Sequence, residues 1–329
     1  MSFTVAGLAR RSTFAHLRYV SPVPPGAAPV PVRRVYEQVE RDFGLLAPPI
    51  ALHARAPGLL AAAWCMLRET LLVSGTTSRR EREAVAAAVS AANACPYCVD
   101  VHQAAVRGLG RRGSSPPPLP TVLSPELIGV AVDFHYLNRM VNVFLRESPL
   151  AAVPAPLLGG ARSVAARLMG RLAGREAVAG QSLPLLPGTA GTVRRLPDDL
   201  RWAAGLPHVA AAMTGAVAVI EDAGQRAVPP AVRRLVRECL VDDAAPGDLA
   251  GMADWLDRRL AGLSVADRAT GRLAMLVAFA SYRVSDSAVA AVRAEGHDDV
   301  ALLALAAWAA LTAARRHGDV LATAYEAVG

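Results

Sequence analysis

The sequence predicts an all-α protein built as two tandem helical domains. Apolar residues recur with a period near that of an α-helix almost throughout, no segment alternates apolar and polar residues as a strand would, and two Pro- and Gly-rich breaks divide the chain. Composition agrees with this. Of 329 residues, 53% are hydrophobic, 19% charged and only 5% aromatic, so the bulk is Ala, Val and Leu, which favours helices and excludes intrinsic disorder. The length suffices for two cores without disulfide staples. All 35 basic residues are Arg and only three Ile occur, a bias of coding more than of function. The net charge of +7 comes from scattered Arg pairs rather than a basic stripe, so nucleic acid is not an expected partner.

Taken in order, residues 1–32 form an extended arm that ends in SPVPPGAAPVPV, and a first helix is expected at about 33–42. The first domain spans 33–182, a Pro/Gly-rich linker spans 183–197, and the second domain spans 198–329. Ser78-Arg-Arg-Glu81 has the spacing of a capping box and predicts a helix over 79–92 that stops at Asn93. Cys95 then stands at an N-cap position with Pro96 after it, and the next helix runs to Gly108 or Gly110. A further helix carries DFHYLNRMVNVFL at 133–145. The uncharged run Val300–Ala314 is shorter than the ~20 residues needed to span a bilayer, so it predicts a buried helix and no membrane partner. Arg10-Arg11-Ser-Thr-Phe14 loosely resembles a twin-Arg signal, but Phe14 is one place late and no apolar core follows. The expected address is cytoplasmic, where thiols stay reduced.

The two domains read as a duplication. With an offset of 186, AAVRGLG at 104–110 falls on AAVRAEG at 290–296, Ser78 on Ser264 and Arg82 on Arg268. Shortening the offset by 12 after the insert GRRGSSPPPLP brings Phe134 onto Trp308 and Leu137 onto Leu311. In this register Glu83, Cys95, Cys98 and His102 meet Ala269, Ser281, Val284 and Ala288. The second copy is therefore degenerate, and the chemistry is expected in the first.

Those four residues form the candidate site. Cys98 falls in the first turn of its helix, where the free N–H groups and the dipole favour thiolate. His102, four residues on, shares its face and can accept a proton. Cys95, three residues earlier, can close a disulfide. Glu83 lies 12 residues before Cys95, about 18 Å along a continuous helix, but an antiparallel hairpin about Asn93 would bring it level with His102. Set in an Ala-rich helix followed by Gly, the pattern E-x11-C-x2-C-x3-H resembles the AhpD-like alkylhydroperoxidases of the carboxymuconolactone decarboxylase superfamily.

The resemblance implies two tandem AhpD-like helical domains, the second lacking the CxxC motif, and a homo-oligomer. It further implies a thiol peroxidase in which Cys98 attacks a hydroperoxide, Cys95 resolves, and His102 with Glu83 relays protons. The partners so implied are the hydroperoxide substrate and a dithiol reductant, a lipoyl-bearing or thioredoxin-like protein; no metal or organic cofactor is required. Well-studied members have His just before the second Cys, where this chain has Tyr97. Alternatives are an acid–base decarboxylase of the same superfamily, against which the paired Cys argues, and a thiol redox sensor or scaffold. A glutaredoxin would need strands, a zinc site a fourth ligand, and haem attachment a His where Val99 stands. Cys65 and Cys239 read as small buried hydrophobes. Glu81 reads as a capping residue and His135 as a core or groove residue. His16, His53, His208, His297 and His317 read as surface or capping residues.

Overall fold

A computed structural model describes residues 13–111, 114–146, 154–175, 177–188, 194–242 and 249–328. The Arg10-Arg11 signal and positions 189–193 of the linker lie outside them. The described residues are helical, with only two isolated β-bridges, Leu17–Leu145 and Val73–Ala177. The first half contains α1 (Val30–Asp42), α2 (Pro57–Leu67), α3 (Arg79–Ala92), α4 (Pro96–Leu109) and α5 (Pro125–Phe144), followed by α6 (Ala155–Ala173). The second contains α7 (Pro207–Ala227), α8 (Pro230–Asp242), α9 (Leu249–Leu260), α10 (Arg268–Ala280), α11 (Asp286–Ala294) and α12 (Asp299–Glu326). The helix α1 begins at Val30, three residues earlier than expected, because prolines at the start of a helix forgo only N–H groups that have no intrahelical partner.

The repeat read from the sequence is present in the elements. Ser78 caps α3 by accepting from Glu81 N, and Ser264 caps the turn before α10 by accepting from Asp267 N. The first residues of α5 and α12, Pro125 and Asp299, stand in the shortened register. The apolar run near the C-terminus lies within α12, where Leu302, Leu303, Leu305 and Trp308 are fully buried. No described helix is long and apolar enough to cross a membrane.

The halves meet along α5 against α12 and α2 against α7. The approach is close: a Cβ on Gly318 of α12 would come within 2.5 Å of Val132 Cγ2 on α5. One apolar cluster runs through both halves, from Val32 on α1 through Trp64 and Phe134 to Trp308 and Ala322. After α2 the chain loosens into a π-helical turn, Arg68–Leu72. There Arg68, wholly buried, pairs with Asp42 and Glu69 at 2.7 Å each and donates to Val178 O at 2.9 Å. This fixes α1, whose end borders the site described next, to the segment that follows α6. The helix α6 lies along α4 at a glycine crossing: a Cβ on Gly108 would meet Ala166 O at 2.1 Å, and one on Gly170 would meet Gly108 O at 2.5 Å.

Candidate active site

The capping box opens α3 as expected: Glu81 Oε2 accepts from Ser78 N at 2.7 Å, and Ser78 Oγ accepts from Glu81 N at 3.2 Å. The helix ends at Asn93. Ala94 takes the left-handed conformation, φ 47°, and Cys95 N donates back to Ser90 O at 3.0 Å, so the chain reverses within two residues. Cys95 is the N-cap of α4 with Pro96 next, and Cys98 falls in its first turn. The hairpin returns His102 to Glu83: Nδ1 lies 2.6 Å from Oε2, with both residues buried. Cys95 Sγ stands 2.9 Å from Cys98 Sγ as a thiol pair without a disulfide. All four residues predicted for the site are thus together.

Their electrostatics follow from burial and neighbours. Burial pushes Glu83 up, but the Arg79 guanidinium, bonded to Oε1 at 2.7–2.8 Å, and His102 on the other oxygen outweigh it and hold the carboxyl at about 2. Glu83 is therefore anionic at neutral pH. His102 receives that charge on Nδ1, which fixes the ring's tautomer and turns Nε2 toward other tasks. Its ring meets Phe134 edge-on, centroids 4.4 Å apart. For Cys98 the sequence expectation of a lowered pKa is reversed: burial and the adjoining Cys95 sulfur raise it well above the ordinary value, and only a hydrogen bond from Asn138 pulls the other way. In a first turn this deeply enclosed, loss of solvent outweighs the dipole.

Cys98 and His102 border a cavity of about 130 Å³. Its walls are otherwise almost wholly apolar, including Phe43, Leu45, Leu67, Phe134, Leu137 and Met169. Tyr97, which stands where the resembled proteins have His, lines the same cavity, and burial raises its phenol pKa. No group of three or more His, Cys, Asp or Glu among the described residues could hold a metal ion.

Other expectations fared differently. Cys65 and Cys239 are buried, and Cys65 donates to Ser182 O at 3.2 Å, its pKa pushed up to about 12 by burial. His53 is no surface residue: it is completely enclosed, with Nε2 2.8 Å from the Tyr136 hydroxyl, because the turn at Pro48–Ala51 folds it under α5. His317 stacks on His135, ring centroids 4.0 Å apart, a pairing that no local pattern signals. Sequence reading also passed over Arg79 and Asn138. Arg79 was legible as an i,i+4 partner of Glu83, whereas Asn138 arrives from another helix.

A reversed two-helix hairpin presenting Cys, Cys, His and Glu to one apolar cavity defines a class of protein. The chain belongs to the carboxymuconolactone decarboxylase family, whose model matches residues 58–112, from α2 through the site hairpin. It is similar to alkyl hydroperoxide reductase Rv2159c of Mycobacterium tuberculosis, with 34% identity over 345 aligned residues that cover 94% of this chain and 96% of that protein. No solved structure matches it.

Proposed function

We propose that the protein is a thiol-dependent peroxidase acting on alkyl hydroperoxides. The observation that carries this reading is the pair of reduced thiols 2.9 Å apart, beside a carboxylate-backed imidazole at the wall of an apolar cavity. His102, oriented by Glu83, takes the Cys98 proton, directly or through a water. The Cys98 thiolate attacks the terminal oxygen of ROOH; the S–O bond forms, the O–O bond breaks, and the departing alkoxide takes a proton to leave as ROH. Cys95 then attacks the sulfenic sulfur, forming the disulfide and releasing water. An external dithiol, on a lipoyl-bearing or thioredoxin-like protein, supplies the two electrons that regenerate both thiols. The reading sets this cycle in the cytoplasm, where such carriers are kept reduced.

The apolar walls favour an organic R group over a second hydroxyl. Reduced protein mixed with one equivalent of cumene hydroperoxide should lose two thiols and two mass units' worth of hydrogen, reversed by dihydrolipoamide. Cys98→Ser should consume no peroxide. Thiol and mass values unchanged by peroxide in the wild type would refute the reading.

A further inference from the structure

The cycle above leaves unused a polar network on the helix that faces the thiols. Asn138 of α5 is completely buried. Its Oδ1 accepts from Asn93 Nδ2 at 3.2 Å and its Nδ2 donates to Ser90 Oγ at 3.1 Å, while Ser90 Oγ donates to Ala86 O at 2.7 Å. Because Ser90 has given away its own proton, it can only accept, and this fixes the amide one way round. The oxygen faces Asn93, and the nitrogen faces Ser90 and the Cys98 sulfur, to which it donates.

Asn93, which ends the helix before the motif, is itself clamped. Its Oδ1 accepts from Arg139 Nη1 at 2.9 Å and its carbonyl accepts from Asn142 Nδ2, also at 2.9 Å. Arg139 and Asn142 both reach into the second half: Arg139 Nε donates to Ala278 O at 3.1 Å, and Asn142 Nδ2 donates to Ser281 Oγ at 3.0 Å. Ser281 occupies the register position of Cys95. The degenerate repeat has lost the reactive sulfur there and carries an acceptor that fastens the active one.

We propose that Asn138 is a catalytic residue that donates a hydrogen bond to Cys98 Sγ and stabilises its thiolate, with Asn93, Arg139 and Asn142 as positioning residues anchored by the second repeat. In a pocket this dry, an anion has few other donors, and a hydrogen bond to a charged acceptor is about twice as strong as one between neutral groups. The donor also stands where the resembled proteins' additional His is missing, since Tyr97 is a buried phenol that stays protonated. The inference rests on Cys98 as the attacking thiol.

The test reads the thiolate without peroxide. In a Cys95→Ser background, the ultraviolet absorbance of the Cys98 thiolate is titrated against pH, with the Cys95→Ser/Cys98→Ser protein subtracted. Adding Asn138→Leu, nearly isosteric but without a donor, should raise the midpoint by about one unit, equivalent to about tenfold less thiolate at any pH below it. Asn138→Ser, too short to reach, should do the same if the Leu variant fails to fold. Ser281→Ala should move the midpoint in the same direction by less. An unchanged midpoint in a natively folded Asn138 variant overturns the inference, even if the protein reduces peroxides. A raised midpoint supports it, even if peroxide leaves Cys98 untouched and the peroxidase reading falls.

Discussion

Glu83 shows how one side chain can be both a structural and a chemical element. Arg79 and His102 divide its two oxygens, and its carboxyl titrates at about 2, against an ordinary value of 4.5. Its charge therefore contributes stability above pH 4.5, and that contribution is lost as the pH falls toward 2. Glu83→Gln should lower the free energy of urea unfolding at neutral pH by about 1–3 kcal/mol, and the variant and wild-type curves should converge in acid. For Cys98 the sign is opposite. Since burial raises the thiol, the second-order rate with hydroperoxide should climb about tenfold per pH unit through neutrality, as measured by stopped-flow fluorescence. The four site residues were legible because each lies within one helical hairpin whose caps and break are written locally. The sense of the Cys98 shift was not, because desolvation comes from α1, α5 and α6, whose placement no local spacing encodes.

At the scale of elements, the hairpin of α3 and α4 is determined by Ser78, Asn93 and Pro96, three positions where backbone chemistry decides the outcome. The helix limits read from them are those observed, Arg79–Ala92 and a start at Pro96. The cover formed by α6 is a different matter, since nothing in its own sequence names α4 as its partner. What joins the two is the Gly108–Gly170 crossing. Any Cβ there meets backbone, which cannot rotate away, so Gly108→Ala should cost about 1–3 kcal/mol in unfolding free energy and open the cavity wall that includes Met169. The same change at Gly159, which has open space around it, should be silent or slightly stabilising.

At the scale of the whole molecule, the all-α class and the duplication were both readable from period and register, and the lost reactive residues identified the inert copy. How intimately the copies join was not readable, because it depends on faces of α2, α5, α7 and α12 that look like ordinary apolar stripes until paired. With one apolar cluster through both halves, unfolding in urea should be a single transition, coincident by circular dichroism and Trp fluorescence; two resolved transitions would mean that the repeats are independent. The claim on which the account turns is that one sulfur of the first copy receives the peroxide oxygen. It is tested most directly by treating Cys95→Ser protein with one equivalent of cumene hydroperoxide in the presence of dimedone and mapping the adduct by peptide mass spectrometry. The account predicts a dimedone adduct on Cys98 with release of one equivalent of alcohol. An adduct on Cys65 or Cys239 instead, or none at all while the peroxide persists, would contradict it.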